Sequence, residues 1–170
     1  MLKIFNDMEP FFEDSYRRIN VREYARLQKI SAPTAATLLQ QYSRENLLKM
    51  ERERQYLFYT ANKESHLFID LAKIYWKTAF EKAGLLDFLE KELVSPLIIL
   101  FGSLAKAEVT PTSDIDLAVF TATNKELSLH VFEKKLKRPI QLFLFHEKAD
   151  VKNDELLNSI LNGYRLRGAW

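Results

Sequence analysis

Residues 97–120, LIILFGSLAKAEVTPTSDIDLAVF, constrain the fold more than any other part of the chain. The first five are uninterruptedly apolar and meet Gly-Ser at once, which predicts a short strand buried on both faces and ending in a turn. Gly102 lets backbone approach a ligand because it has no Cβ, and Ser103 is placed to cap a helix over residues 104–108. Free N–H groups at such a start suit an anion such as phosphate. Thr110, Pro111 and Thr112 then turn the chain into a second strand over residues 113–120. Alternation there sends Asp114 and Asp116 to one side and Ile115 and Leu117 to the other. Two carboxylates facing a phosphate-binding turn have the chemistry to hold Mg²⁺ through a substrate's phosphates. A lone Asp-x-Asp is more often a solvated strand start, so the reading rests on the combination.

Gly-Ser, ten intervening residues and Asp-x-Asp between two apolar strands resembles the signature of the nucleotidyltransferase superfamily that includes DNA polymerase β. The run GSLAKAEVTPTSDIDL is similar to the minimal nucleotidyltransferases, whose usual form is Gly-Ser-x-Ala-Arg-Gly followed by Ser-Asp-Ile-Asp-Leu. Lys106 and Ala107 stand at the Arg and Gly places. The resemblance implies that Asp114 and Asp116 are catalytic and hold Mg²⁺ or Mn²⁺, and that Gly102, Ser103 and Lys106 bind a nucleoside triphosphate. It implies transfer of a nucleotidyl group, AMP from ATP, to a hydroxyl of a protein or small-molecule acceptor. It also implies the antitoxin half of a toxin–antitoxin pair, with the toxin as partner. The family's usual third carboxylate falls at Gln141, whose amide cannot take a proton. Glu108, His146 and Glu147 are possible substitutes, although each such residue is more often a solvated surface group.

The chain lacks Cys, so a disulfide framework and thiolate metal sites are excluded and a metal must use oxygen or His. His66 and His130 do not cluster with acids at ligand spacing. A net charge of +2 does not by itself announce a nucleic-acid binder, although the basic excess falls within residues 1–66. No apolar run is long enough to span a membrane and the N-terminus has no signal-peptide core, so the expectation is a cytoplasmic protein with no membrane contact.

Residues 4–19 carry apolar side chains at helical spacing, with Pro10 expected at a helix start or break. Asn20 caps a helix over Val21–Gln28, with Glu23 placed to complete a capping box, and Ser31 caps Ala32–Arg44, where Pro33 sits in the first turn. Ala35, Leu38, Leu39 and Tyr42 point inward. Asn46 suits a left-handed helix end, and a hairpin follows whose tip is Arg52, Glu53 and Arg54. This order resembles a winged helix-turn-helix. The resemblance implies a recognition helix that presents Thr34, Thr37 and Gln40 to DNA, with Arg44, Arg52 and Arg54 on phosphates and a homodimer reading two half-sites. A helical domain used only for protein contacts fits the same pattern.

Residues 64–93 read as two helices divided by Gly84, with Leu67, Leu71, Ile74, Tyr75 and Thr78 as the packed stripe. A helix over residues 125–137, a strand at Ile140–Phe145 and a closing helix within residues 153–170 complete the chain. In that last helix Leu156, Leu157, Ile160 and Leu161 point inward and Gly163 acts as the stop. The expected class is α/β (α+β): a winged helix-turn-helix at 1–63, connecting helices at 64–93, and a nucleotidyltransferase domain with a mixed sheet and helices at 94–170. The main function expected is nucleotidyl transfer. The alternative is a DNA-binding transcriptional regulator whose nucleotidyltransferase domain senses nucleotide or is inactive.

Overall fold

Helix α1 (Lys3–Glu13) runs through Pro10 without a break, in a computed structural model that describes residues 2–170. Proline has no N–H to give the carbonyl four residues back, which normally breaks a helix. Here that acceptor, Asn6 O, receives the Gln28 side-chain amide at 3.0 Å. The helix stops before Asp14, and Ile19 belongs instead to the short strand β1 (Ile19–Asn20).

Helix α2 (Val21–Gln28) is capped by Asn20, whose side chain accepts from Glu23 N at 3.0 Å. The Glu23 carboxylate goes to Arg17 at 2.7 Å in place of closing the expected box. Helix α3 (Ala32–Arg44) starts at Ser31, which accepts from Thr34 N at 3.2 Å. It ends as expected at left-handed Asn46, with Leu47 N bonded to Tyr42 O at 2.9 Å and Asn46 N to Ser43 O at 3.1 Å. Strands β2 (Leu48–Glu53) and β3 (Tyr56–Ala61) form the hairpin. Arg52 and Glu53 lie within β2, so the turn is Arg54-Gln55, one step beyond the expected tip. The sheet is antiparallel in the order β1-β3-β2. Its core includes Met8, Phe11, Phe12, Ile19, Tyr24, Leu39 and Tyr59, all at most 1% exposed. Asp7 is buried among them and is well partnered. Its carboxylate accepts from Tyr42 Oη at 2.6 Å and pairs with Lys3, and its carbonyl accepts from Tyr24 Oη at 2.9 Å.

That unit ends at Ala72 and takes in Ala107–Pro111, where Val109 N donates to Ser15 Oγ at 3.1 Å and Ser15 N to Val109 O at 2.8 Å. The second unit comprises Lys73–Lys106 and Thr112–Trp170. Helix α4 (His66–Ala83) and helix α5 (Leu85–Glu92) flank Gly84 as expected. The packed stripe of α4 is displaced, however. Phe68, Ala72, Tyr75, Trp76 and Phe80 are buried, whereas Leu67 and Ile74 are 54% and 42% exposed. Two stripes at helical spacing compete on this helix, and the one with the larger aromatic area turns inward.

The second sheet contains β4 (Leu97–Phe101), β5 (Ile115–Phe120), β6 (Ile140–Phe145) and β7 (Tyr164–Arg167), in the order β6-β5-β4-β7. β5 and β6 are parallel, joined across α7 (His130–Leu136), and the other two pairs are antiparallel. Residues 125–129 are not helical: Lys125 pairs with Glu92, and just ahead of the segment Thr123 Oγ1 accepts from Val94 N at 3.0 Å. Helix α8 (Asp154–Leu161) is capped by Asn153 and covers the face formed by Leu97, Ile99, Phe101, Ala118 and Phe120. Ile160 is fully buried, but Leu161 is 47% exposed and not part of that contact. Gly163 follows because a Cβ there would come within 2.6 Å of both Ile99 Cγ2 and Leu100 O. Eight helices and two sheets among the described residues make a mixed α/β chain, as expected. No helix of the described residues is long and apolar enough to cross a membrane.

Candidate active site

β4 ends at Phe101, and Asp116 lies directly across from that last residue on one side and beside Gln141 of β6 on the other. Asp114 precedes β5 by one position and shares the face of Asp116, which is also the face covered by α8. The segment before the strand is fixed from two directions. Arg138, 5% exposed with its guanidinium 5.1 Å from the Trp76 ring, donates to Ser113 O at 2.8 Å, and Ile115 N donates to Pro139 O at 2.9 Å. These contacts set where Asp114 begins.

Gly102 adopts φ +71°, a region costly to residues with a Cβ. A Cβ here would collide with Asp116 Oδ2 and lie 3.1 Å from Asp116 Cγ, so the carboxylate occupies the space that glycine leaves open. The five residues Gly102–Lys106 form α6, which places Ser103 inside the helix and not at its N-cap. One turn carries little dipole, so phosphate contact here would rest on local N–H groups and Lys106. Ser103 is half-buried and Lys106 exposed. Ala107 has φ +56° and is fully buried, so it occupies the left-handed backbone position where the family pattern has Gly.

Burial raises the Asp116 carboxyl above its ordinary value, and the negative charge of Asp114 adds to the shift. Gln141 Nε2 donates to Asp114 Oδ2 at 2.6 Å, so the amide at the third-carboxylate position acts as a donor to the pair. Among the described residues no group of three or more His, Asp or Glu could cage a metal. Two mutually repelling carboxylates do fit Mg²⁺, which is commonly held by one or two carboxylates together with substrate phosphates.

The proposed substitutes for a third acid do not join the pair. His146 and Glu147 follow the far end of β6, roughly 16 Å along the strand from Gln141 at the usual rise. There His146 Nδ1 contacts Thr121 O at 3.1 Å, and the Glu147 side chain closes a capping box with Asp150. Backbone N–H groups of Glu147 and His146 hold the Asp150 carboxyl below its usual range. Glu108 is exposed and falls in the other unit.

In the N-terminal unit Thr34, Thr37, Gln40, Arg44, Arg52 and Arg54 are all exposed. Thr34 Oγ1 shares a 2.7 Å bond with Ser31 Oγ and Thr37 Oγ1 donates to Pro33 O at 3.1 Å, so both hydroxyls serve their own helix first. Arg18 binds Glu53 at 2.9 Å and Glu51 at 3.7 Å, while Arg44, Arg52 and Arg54 have no carboxylate partner among the described residues.

Two features near the carboxylates escaped the sequence reading. One is Arg138, whose guanidinium holds Ser113 O. The other is the polar face of α8, where Glu155, Asn158, Ser159 and Asn162 border a cleft that Gly102, Ala105 and Lys106 close from the opposite side. Their spacing of three, four and seven was visible in the sequence, alternating with Leu156, Leu157 and Ile160.

The family model described as Polymerase beta, Nucleotidyltransferase matches residues 84–162, which span the β4 turn, the Asp pair, Gln141 and α8. The match supports nucleotidyl transfer as the general chemistry of this unit. No curated protein matches the sequence.

Proposed function

We propose that the second unit transfers a nucleotidyl group, AMP from ATP, to a hydroxyl of a protein or small-molecule acceptor. The observation that carries this reading is the convergence of Asp114 and Asp116 beside Gly102, with the Asp116 carboxylate seated where a Cβ would be. Gly102 and Ser103 bind the triphosphate through main-chain N–H groups and Lys106 adds positive charge. Asp114 and Asp116 would hold Mg²⁺ or Mn²⁺, which when bound neutralises phosphate charge and fixes the line of attack. The acceptor oxygen bonds to the α-phosphorus, the bond to the bridging oxygen breaks, pyrophosphate leaves, and the hydroxyl proton is released. Gln141 cannot accept that proton; it orients Asp114 by its N–H···O bond.

The test is incubation of wild-type protein with ATP labelled at the α-phosphate, Mg²⁺ and a cell lysate. Label on a protein or small molecule is expected, and a labelled protein in the lysate would name the acceptor, including a toxin partner if there is one. Asp114→Asn with Asp116→Asn should cut labelling at least 100-fold while leaving the melting temperature unchanged or higher. Equal labelling by wild type and double variant would end this reading.

A second reading is favoured by the N-terminal unit. Its helix, strand, two helices and hairpin, with sheet order β1-β3-β2, fit a winged helix-turn-helix; in this reading it binds DNA as a homodimer. The exposed, unpaired Arg44, Arg52 and Arg54 would meet phosphates and Gln40 a base edge. The chain is then a regulator whose other unit senses nucleotide. Arg52→Ala with Arg54→Ala should lower affinity for every duplex and reduce the salt slope by about two units. An unchanged slope would count against it.

A further inference from the structure

We propose that β6 is an interface strand through which two copies of this chain pair antiparallel about a two-fold axis at Phe143, a property of the second unit that neither functional reading above needs.

The strands at the sheet edges are β1, β2, β6 and β7, and all but β6 are guarded. An exposed edge strand invites foreign pairing, and proteins blunt it with charge, proline or brevity. β1 has two residues, β2 carries Lys49, Glu51, Arg52 and Glu53, and β7 carries Arg165 and Arg167. β6, IQLFLF, has six residues with neither a charge nor a proline, and all but Gln141 are half-buried. An unguarded edge among guarded ones is the pattern of a strand that pairs.

The register of β6 fixes how much of that edge is open. In a parallel ladder alternate residues turn both main-chain groups toward the neighbouring strand. Pro139 O and Phe145 O accept from Ile115 N and Thr121 N at 2.9 Å, so Pro139, Gln141, Phe143 and Phe145 face β5 while Ile140, Leu142 and Leu144 face out. The chain itself caps both ends of the outward row: Ile140 N donates to Glu133 Oε1 and His146 N to Asp150 Oδ2, each at 3.0 Å. The N–H groups of Leu142 and Leu144 remain, with no partner among the described residues.

Two open residues that stand two apart fit a copy of themselves. With the axis at Phe143, Leu142 of one copy lies opposite Leu144 of the other, and each such pair exchanges both of its main-chain bonds. The Phe143 side chains of the two copies meet across the axis on the face that α8 covers, as an aromatic cross-strand pair. No charge is buried, because the strand has none. A longer foreign strand running past either end would meet the Glu133 or Asp150 carboxylate where it needs an open N–H group. Pairing joins the two four-stranded sheets into one, with Asp114 and Asp116 of both copies on the same face. So short a contact makes a dimer that dissociates on dilution.

Sedimentation of the whole chain over a roughly hundredfold concentration range, with amide hydrogen exchange measured by NMR at both ends of it, tests the pairing. Wild type should pass from monomer to dimer, and exchange at Leu142 and Leu144 should slow several-fold with it while the β4 amides stay unchanged. Leu144→Pro removes one outward N–H without touching the ladder to β5, and Leu142→Lys keeps the N–H but puts charge on the edge strand. Both should stay monomeric at every concentration with a wild-type circular dichroism spectrum; if either variant unfolds, the wild-type exchange decides alone. Wild type that is monomeric throughout would overturn the self-pairing and leave β6 to a strand of another protein. A dimer whose Leu142 and Leu144 amides exchange as in the monomer, or one that folded Leu142→Lys retains, would put the interface elsewhere and overturn it equally.

Discussion

Each unit contains carboxylates withdrawn from water, and the two cases are opposites. Asp7 in the N-terminal unit is 7% exposed and answered on every side, by Tyr42, by Lys3 and, at its carbonyl, by Tyr24. Burial and the Asp7 charge together push both tyrosine hydroxyls well above their ordinary range, so they stay protonated donors. Asp116 in the other unit is half-buried, faces a second carboxylate, and is raised where a structural ion pair would lower it. Saturated bonding marks a group that holds a fold together. Repulsion between carboxylates that only the Gln141 amide relieves is the arrangement a binding or catalytic group needs.

The contrast predicts opposite outcomes on mutation. The largest effect on stability should come from Asp7→Ala, which orphans the Tyr42 hydroxyl and removes a charge-assisted bond. A loss of about 2 to 3 kcal/mol is expected, read as a lower urea midpoint with unchanged slope. A loss below about 0.5 kcal/mol would break the comparison.

Next is Gly102→Ala, which adds a Cβ at φ +71° against the Asp116 carboxylate. The left-handed backbone costs about 1 to 2 kcal/mol, and the displaced carboxylate should abolish Mg²⁺-dependent nucleotide binding. Binding that survives in a folded Gly102→Ala protein would detach the glycine from the site.

The smallest effect sharpens the comparison most. Because Asp116 is raised above 3.8 in the folded protein, the folded state holds this proton more tightly than the unfolded chain does. The resulting stability is present below the unfolded value and lost as pH rises through the folded one. At neutral pH the ionised carboxylate therefore works against folding. Asp116→Asn should stabilise the protein at pH 7 by less than about 1 kcal/mol, since much of the group is solvated, and the gain should vanish near pH 4 or below. Urea unfolding at both pH values reads the difference. A destabilised variant at pH 7 would place Asp116 with Asp7.

Local signals made much of this legible. Five apolar residues and a Gly-Ser pair announced β4 and its turn, Asp-x-Asp announced the paired carboxylates, and Asn20, Ser31 and Asn46 marked helix ends where the structure has them. What failed was set by distant partners. Pro10 stays helical because Gln28 supplies the bond it lacks. Residues 125–129 stay out of the helix where Glu92 pairs with Lys125 and, just ahead of them, Val94 engages Thr123. Leu67 and Ile74 obey helical spacing as well as the buried side chains do, and periodicity alone cannot rank two stripes. β7 was missed because four residues after a glycine carry too little pattern, and only β4 across the sheet makes them a strand.

That last pairing bears on how the protein is made. β4 is buried along its entire length, and its second edge is satisfied only by β7, which lies more than sixty residues further along the chain. At the usual pace of about 5 to 20 residues per second, a ribosome leaves this apolar edge open for several seconds after β4 emerges. An unpaired apolar strand is a template for the wrong neighbour. β7 arrives with Arg165 and Arg167 at alternate positions, so the strand that ends the wait also presents charge at the sheet's new border. Ribosome-bound chains halted before Tyr164 should therefore be the chaperone-dependent ones.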